Sequence, residues 1–126
     1  MVLEAQDNSK NNQKWDGTRA SVKDDEGKPQ PFKGFINYFP RAILAISQIS
    51  VFGAKKYSWG GFASVENGED RYEEAQFRHL LQRCIEGKES LDEESEYLHL
   101  LHEAWCSIAK VEMYLREQEK NEKFRN

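Results

Sequence analysis

Apolar residues recur at helical spacing in three stretches of the chain. Residues 40–57 open with Pro40, which a helix tolerates at its start, and close with Lys55 and Lys56, which suit a helix C-terminus. Residues 70–87 carry a repeat at i, i+3, i+4 and i+7, formed by Phe77, Leu80, Leu81 and Cys84. From about Ser90 to Glu119 runs a longer stripe, formed by Tyr97, Leu101, Ala104, Ile108, Val111 and Leu115. These patterns predict three amphipathic helices whose apolar stripes form the core.

The rest of the chain predicts no strand and no internal repeat. Residues 1–34 are polar with isolated aromatics, and Pro29 and Pro31 prevent a helix between Asp24 and Phe32. We therefore predict an all-α fold, a small bundle of three main helices with an irregular N-terminal arm. The expected segments are a flexible arm (1–22), a domain (23–116) and a polar tail (117–126). Because only 38% of the residues are hydrophobic, we expect oligomerisation to complete the bundle.

Charge and cysteine content exclude several classes of protein. The net charge of −4 argues against direct nucleic-acid binding, which calls for a basic surface. Two cysteines, Cys84 and Cys106, are too few for a disulfide scaffold, and we expect both to be reduced and buried. The sequence begins without a signal-peptide pattern and has no apolar run of membrane-spanning length, so we expect a cytoplasmic protein without membrane contact.

All three histidines lie opposite the apolar stripes of their helices when residues are placed about 100° apart. His79 lies on the second predicted helix, and His99 and His102 lie three residues apart on the third. One interpretation is a polar flank or a second packing face in an oligomer. The other is a cleft in which the imidazoles meet the carboxylates of Asp92 and Glu94, binding a metal or acting as acid and base.

Cationic and aromatic residues near the helix ends also allow two interpretations. Lys55 and Lys56 fit phosphate groups, or they complement the dipole of their helix. Arg78 is a good phosphate ligand, or the partner of a surface ion pair. Trp59, followed by two glycines, fits stacking on a nucleobase or closure of the helix end.

In order along the chain, these pieces resemble one known family. They read "GKP" (27–29), "FGAKKY" (52–57) with Trp59, "RHLL" (78–81), "GK" (87–88), Asp92, "ES" (94–95), and "HL" (99–100) with His102 and Trp105. The chain resembles the phage-associated dATP/dGTP diphosphohydrolase N-terminal family, which is similar to the MazG-like nucleotide pyrophosphohydrolases. The resemblance extends from about Lys23 to Leu115. Three positions depart from the family's frequent residues: Lys88 replaces an acid, Glu96 a glycine and Cys106 an asparagine.

The resemblance implies an all-α, metal-dependent enzyme that cleaves a purine deoxynucleoside triphosphate between its α- and β-phosphates, giving dNMP and pyrophosphate. It implies Mg²⁺ or Mn²⁺ as cofactor, a homodimer or homotetramer, and remodelling of the nucleotide pool in the cytoplasm of a phage's host. The main alternative is a non-catalytic nucleotide-binding or oligomerising module on the same helices. A second alternative is a different hydrolase on these helices, for example one that acts on nucleoside monophosphates.

Our hypothesis assigns each candidate residue a role in such a site. The expected metal ligands are His79, Asp92, Glu94, His99 and His102. Catalysis is assigned to His79, Glu94 and His102. The expected substrate-binding residues are Lys28, Lys55, Lys56, Trp59 and Arg78.

Overall fold

The structure, a computed structural model, describes residues 26–125, with side chains as far as Lys123. Within that range the chain forms three α-helices: α1 (Pro40–Lys56), α2 (Gly68–Glu86) and α3 (His99–Arg125). A π-helical turn (Phe32–Ile36) precedes α1, and a 3-10 turn (Gly61–Ser64) precedes α2. The described residues contain one isolated β-bridge and no strand, so the predicted all-α class is confirmed. The predicted arm, residues 1–22, lies outside the described part, and the segment boundaries stay predictions.

Of the described residues, 26–43 belong to one compact unit and 44–125 to a second. In the described part of the first unit, Gly27 has φ +84°, a left-handed turn that suits glycine. The π-helical turn begins only after Pro31, as the two prolines predict. The Phe39 ring contacts the edges of Phe35 and Tyr38, with centroids 5.6 and 5.8 Å away.

The second unit is built on an antiparallel pair formed by α2 and α3. Late in α2, Arg83 Nη2 donates to Glu103 Oε1 over 2.9 Å near the start of α3. Earlier in α2, Glu73 Oε1 lies 3.2 Å from Lys110 Nζ, further along α3. The two contacts occur in opposite order along the two helices, so α2 and α3 run antiparallel. Glu69 and Asp70 lie in the first turn of α2, where the helix dipole favours acidic side chains. Gly87 ends the helix with φ +108°, and its amide donates to the Arg83 carbonyl.

Two of the three predicted helices have the expected bounds, but the start of the third was wrong. Helix α3 begins at His99, because residues 90–98 fold into a closed loop. Ser90, the predicted start of this helix, instead donates its hydroxyl to the Gly87 carbonyl over 2.7 Å. The far end of α3 reaches Arg125 instead of ending near Glu119.

The apolar stripes predicted as the core are largely exposed in the single chain. Phe77 and Leu81 are 49% and 59% exposed, and Ile108, Val111 and Leu115 are each more than half exposed. Among the described residues the buried side chains are instead Ile49, Cys106, Ala109, His99 and His102. His99 and His102 do lie opposite the stripes, but they are buried, so the interpretation of this side as an exposed polar flank was wrong for them. Cys84 is exposed, so only Cys106 of the two cysteines is buried as predicted. None of the helices in the described range is both long and apolar enough to cross a membrane.

Candidate active site

Three imidazoles meet between α2 and α3. His99 and His102, one turn apart at the start of α3, point toward His79 in the middle of α2. The rings of His79 and His102 stack with centroids 4.3 Å apart and planes 9° from parallel. His79 Nδ1 and His99 Nδ1 are 2.8 Å apart, a hydrogen bond in which one ring must donate and the other accept. His99 is 1% exposed and His102 is 7% exposed.

The closed loop before α3 brings a carboxylate to these rings. Leu91 and Leu98 form the isolated bridge, and the Asp92 amide donates to the Tyr97 carbonyl over 2.8 Å. Within the loop, Asp92 Oδ2 accepts a 2.8 Å bond from the Ser95 amide and lies 4.0 Å from His102 Nε2. Ser95 Oγ is 2.7 Å from the same nitrogen. Ser95 therefore orients both Asp92 and His102.

Burial and neighbouring groups set the charges of His79, Asp92 and His102, which we call the cluster. Burial, with the neighbouring His102 ring, lowers the pKa of His79 from 6.5 to about 4. Burial likewise lowers the pKa of His102, although Asp92 opposes the shift. Burial would raise the pKa of Asp92, but hydrogen bonds from the Ser95 amide and hydroxyl outweigh it and lower that pKa. At neutral pH the site therefore presents neutral His79 and His102 rings beside the Asp92 carboxylate.

These groups fit the requirements of a divalent cation. One ligand atom from each of His79, Asp92 and His102 lies within 4.8 Å of the others. Two neutral imidazoles with one carboxylate suit a first-row transition ion such as Mn²⁺ better than Mg²⁺, which prefers oxygen ligands. The hydrogen bond that Ser95 makes to Asp92 is the kind of outer contact that holds a metal ligand in place.

A cavity of about 580 Å³ opens beside the cluster. His79, Asp92 and His102 line it, together with the exposed acid Glu94. Six aromatic side chains contribute to the lining: Phe52, Tyr57, Trp59, Phe62, Tyr72 and Trp105. Three cations do so as well: Lys56, Arg71 and Arg78. This size, with apolar rings and a few charged groups, is typical of a site for a small-molecule ligand.

Hydrogen bonds and ring contacts hold the aromatic wall in place. Trp105 Nε1 donates to Ser50 Oγ over 2.9 Å and so ties α3 to α1. The Trp105 ring packs edge to face against Phe62 and Tyr72, with both centroid distances 5.5 Å. Tyr72 in turn donates its hydroxyl to the Phe62 carbonyl over 3.0 Å. These contacts hold Phe62, Tyr72 and Trp105 in place without a ligand.

The sequence model of the family described as "dATP/dGTP diphosphohydrolase, N-terminal" matches residues 18–123. The chain belongs to this family. By that description the dATP/dGTP diphosphohydrolase family acts in nucleotide hydrolysis, and the part matched is the N-terminal region. No curated protein and no solved structure matches the chain.

The structure brings together some of the predicted site residues and separates others. Of the five expected metal ligands, His79, Asp92 and His102 form the cluster. His99 lies behind it, bonded to His79, and Glu94 pairs with Lys56, whose Nζ is 3.2 Å from Glu94 Oε2.

The predicted substrate-binding residues are also divided. Lys56, Trp59 and Arg78 line the cavity, and Trp59 is 73% exposed. Lys55 is exposed and is not among the lining residues described. Lys28 is exposed in the first unit, and its role stays a prediction.

Two polar residues of the site were missed by the sequence analysis. Ser95 follows Asp92 by three residues, a spacing typical of an Asp side chain capping a turn, but the stretch was interpreted as helix. Arg71 precedes Arg78 by seven residues, two helical turns, so it lies on the same face of α2. That spacing was visible in the sequence and could have identified Arg71.

Proposed function

We propose that the chain is a metal-dependent diphosphohydrolase of purine deoxynucleoside triphosphates, releasing dNMP and pyrophosphate. The observation that carries the proposal is the His79–Asp92–His102 cluster in the wall of an aromatic and cationic cavity. Membership of the dATP/dGTP diphosphohydrolase family supports the choice of substrate. Such an activity would remodel a nucleotide pool, in a phage's host if the gene is a phage's.

The cation would be held by His79, Asp92 and His102. Because His79 Nδ1 is bonded to His99, the nitrogen left for a metal is His79 Nε2. Mn²⁺ suits this ligand set, with Mg²⁺ as the second candidate. When bound, the ion would neutralise phosphate charge and lower the pKa of a coordinated water.

The remaining charged residues would bind the triphosphate and direct the water. Lys56, Arg71 and Arg78 offer cations on the cavity wall. Glu94 is 64% exposed at its side chain, and ion pairs of such exposure contribute less than about 1 kcal/mol. Glu94 can therefore leave Lys56 to accept a proton from the attacking water, while Lys56 turns to phosphate. The exposed ring of Trp59 is suited to stack on the base.

We further propose that the enzyme assembles as a homodimer or homotetramer through its exposed apolar stripes. On α3, Leu101, Ala104, Ile108, Val111 and Leu115 alternate at steps of three and four, the spacing of a helix-pairing seam. Phe77, Leu81 and Ile85 repeat every four residues on α2, and Ile85 is 81% exposed. Two such hairpins would bury these side chains in a four-helix interface.

Product identification tests the proposed activity. The protein is incubated with each dNTP and with Mn²⁺ or Mg²⁺, and pyrophosphate and phosphate are measured separately. We expect pyrophosphate with dGTP or dATP. Phosphate as the product would indicate a different hydrolase, and nucleotide binding without turnover would indicate the non-catalytic alternative. His102→Ala and Glu94→Ala should each remove most of the turnover in folded protein, and near-normal rates in both would refute the site.

Adjacent lysines provide a matched comparison for the substrate-binding assignment. Lys56 lines the cavity and Lys55 does not, although both end the same helix. Lys56→Ala should raise KM for the triphosphate by about tenfold, the loss of one charge-assisted contact. Lys55→Ala should change it much less. Equal effects of the two substitutions would contradict the assignment of Lys56.

A further inference from the structure

His99 is the most completely buried of the large side chains described, yet it neither belongs to the cation cluster nor lines the cavity. Its ring has two polar neighbours. Nδ1 is 2.8 Å from His79 Nδ1, and Nε2 is 4.0 Å from Oε1 of Glu86, at the end of α2. A buried imidazole between a carboxylate and a second imidazole has a defined place for its proton.

The half-exposed carboxylate of Glu86 favours one of the two His99 nitrogens as the place for the proton. A neutral imidazole has one N–H and one lone pair. A lone pair on Nε2 would face the negative charge of Glu86, whereas an N–H there is attracted to it. The proton of His99 is therefore favoured on Nε2, which leaves Nδ1 as an acceptor.

Through the Nδ1–Nδ1 hydrogen bond, the proton position on His99 determines the proton position on His79. Because His99 Nδ1 accepts, His79 Nδ1 must donate, so the proton of neutral His79 lies on Nδ1. The lone pair of His79 then lies on Nε2, the nitrogen that remains for a cation beside Asp92 and His102. The opposite order of protons would place an N–H on His79 Nε2, near the charge of Asp92, and that proton would have to leave before Nε2 could bind a metal.

We propose that His99, supported by Glu86, is a positioning residue that fixes the tautomer and ring orientation of His79. Of the two histidines, only His79 would contact the cation. His99 would act by orienting His79. In many metal sites the histidine that binds the metal donates its other N–H to a carboxylate, which fixes its tautomer. Here a second histidine, His99, lies between the carboxylate and the histidine that binds the metal. The inference rests on the proposed function in one respect: fixing the tautomer of His79 is useful only if His79 binds a metal. The proton positions themselves are a property of the chain without metal.

The first test measures the proton positions directly. Long-range ¹H–¹⁵N correlation spectra of the ¹⁵N-labelled, metal-free protein distinguish the two neutral tautomers of each ring. We expect the Nδ1–H form for His79 and the Nε2–H form for His99. In Glu86→Ala a share of the other His79 tautomer should appear, whereas the exposed control Glu89→Ala should leave the spectrum of His79 unchanged. An Nε2–H His79 in the unsubstituted protein would overturn the inference, and so would an unchanged His79 in Glu86→Ala.

The second test separates positioning from simple filling of the interior. His99→Asn keeps an acceptor where Nδ1 was but leaves a cavity, whereas His99→Leu fills the volume without an acceptor. A positioning role predicts that Mn²⁺ affinity, measured by calorimetry, falls about ten- to a hundredfold in His99→Leu and much less in His99→Asn. A merely structural role predicts the reverse order, which would overturn the inference. Thermal unfolding of both variants reports whether each is folded.

The two tests also separate this inference from the proposed function. If the unsubstituted protein binds no Mn²⁺, the proposed metal site fails, while the tautomers can still be read from the spectra. If the protein binds Mn²⁺ with the tautomers reversed, the metal site stands and the role of His99 fails.

Discussion

The lowered pKa of His79 makes folding itself sensitive to pH. The ring has a pKa of about 4 in the folded chain and about 6.5 in the unfolded chain, so between these values only the unfolded state is protonated. Stability is therefore fully present above pH 6.5 and is lost as the pH falls toward 4. His102 contributes in the same direction, because its pKa is also lowered.

The size of the effect follows from the shift and from the solvent around His79. A fall from 6.5 to about 4 corresponds to at most about 3.4 kcal/mol of differential stability. Because His79 is only half-buried, water screens part of this, and we expect about 1–2 kcal/mol over the whole range. Asp92 contributes little above pH 5, since its lowered pKa places its titration below that window.

Chemical denaturation at several pH values between 7.5 and 5.0 measures this dependence. The protein is kept in chelator, since a bound metal would add its own pH dependence. We expect the free energy of unfolding to fall steadily below pH 6.5, and His79→Gln should flatten that slope whatever its stability at pH 7.5. Equal stability at pH 7.5 and 5.0 would refute the account of a desolvated, neutral imidazole pair.

Three further substitutions test separate parts of the structure. Glu96 has φ +65°, so Glu96→Gly should relieve a left-handed backbone that costs roughly 1–2 kcal/mol and raise the Tm, whereas Glu93→Gly should not. Ser95→Ala removes the hydroxyl 2.7 Å from His102 Nε2 and should weaken Mn²⁺ binding about tenfold in calorimetry without unfolding the chain. Ile108→Lys places a charge on the exposed stripe and should reduce the mass measured by light scattering; an unchanged mass would contradict the proposed interface.

Helical periodicity located α1 and α2 but did not decide which face of each helix lies inside. The bounds of α1 and α2 follow from Pro40, the paired lysines and Gly87, which act locally. Periodicity also placed the three histidines on one side of their helices. Periodicity does not predict that this side faces the neighbouring helix within the chain. An apolar stripe has the same spacing whether it packs inside one chain or between two chains.

The acidic part of the site was harder to predict, because its loop depends on contacts rather than on local preference. Residues 90–98 contain good helix formers, and a glutamate at position 96 gives no sign of a left-handed turn. The loop closes through the Leu91–Leu98 bridge and through the bonds of Asp92 to Tyr97 and Ser95. The predicted helix therefore missed Ser95, although the interpretation of the histidines as a cleft already included Asp92.

A titration with Mn²⁺, followed by electron paramagnetic resonance, measures whether His79, Asp92 and His102 together hold one divalent ion. We predict one bound ion per chain, with affinity reduced at least about tenfold in both Asp92→Asn and His102→Ala and unchanged in Glu89→Gln. Binding of equal strength in all four proteins, or none in the unsubstituted one, would contradict the account.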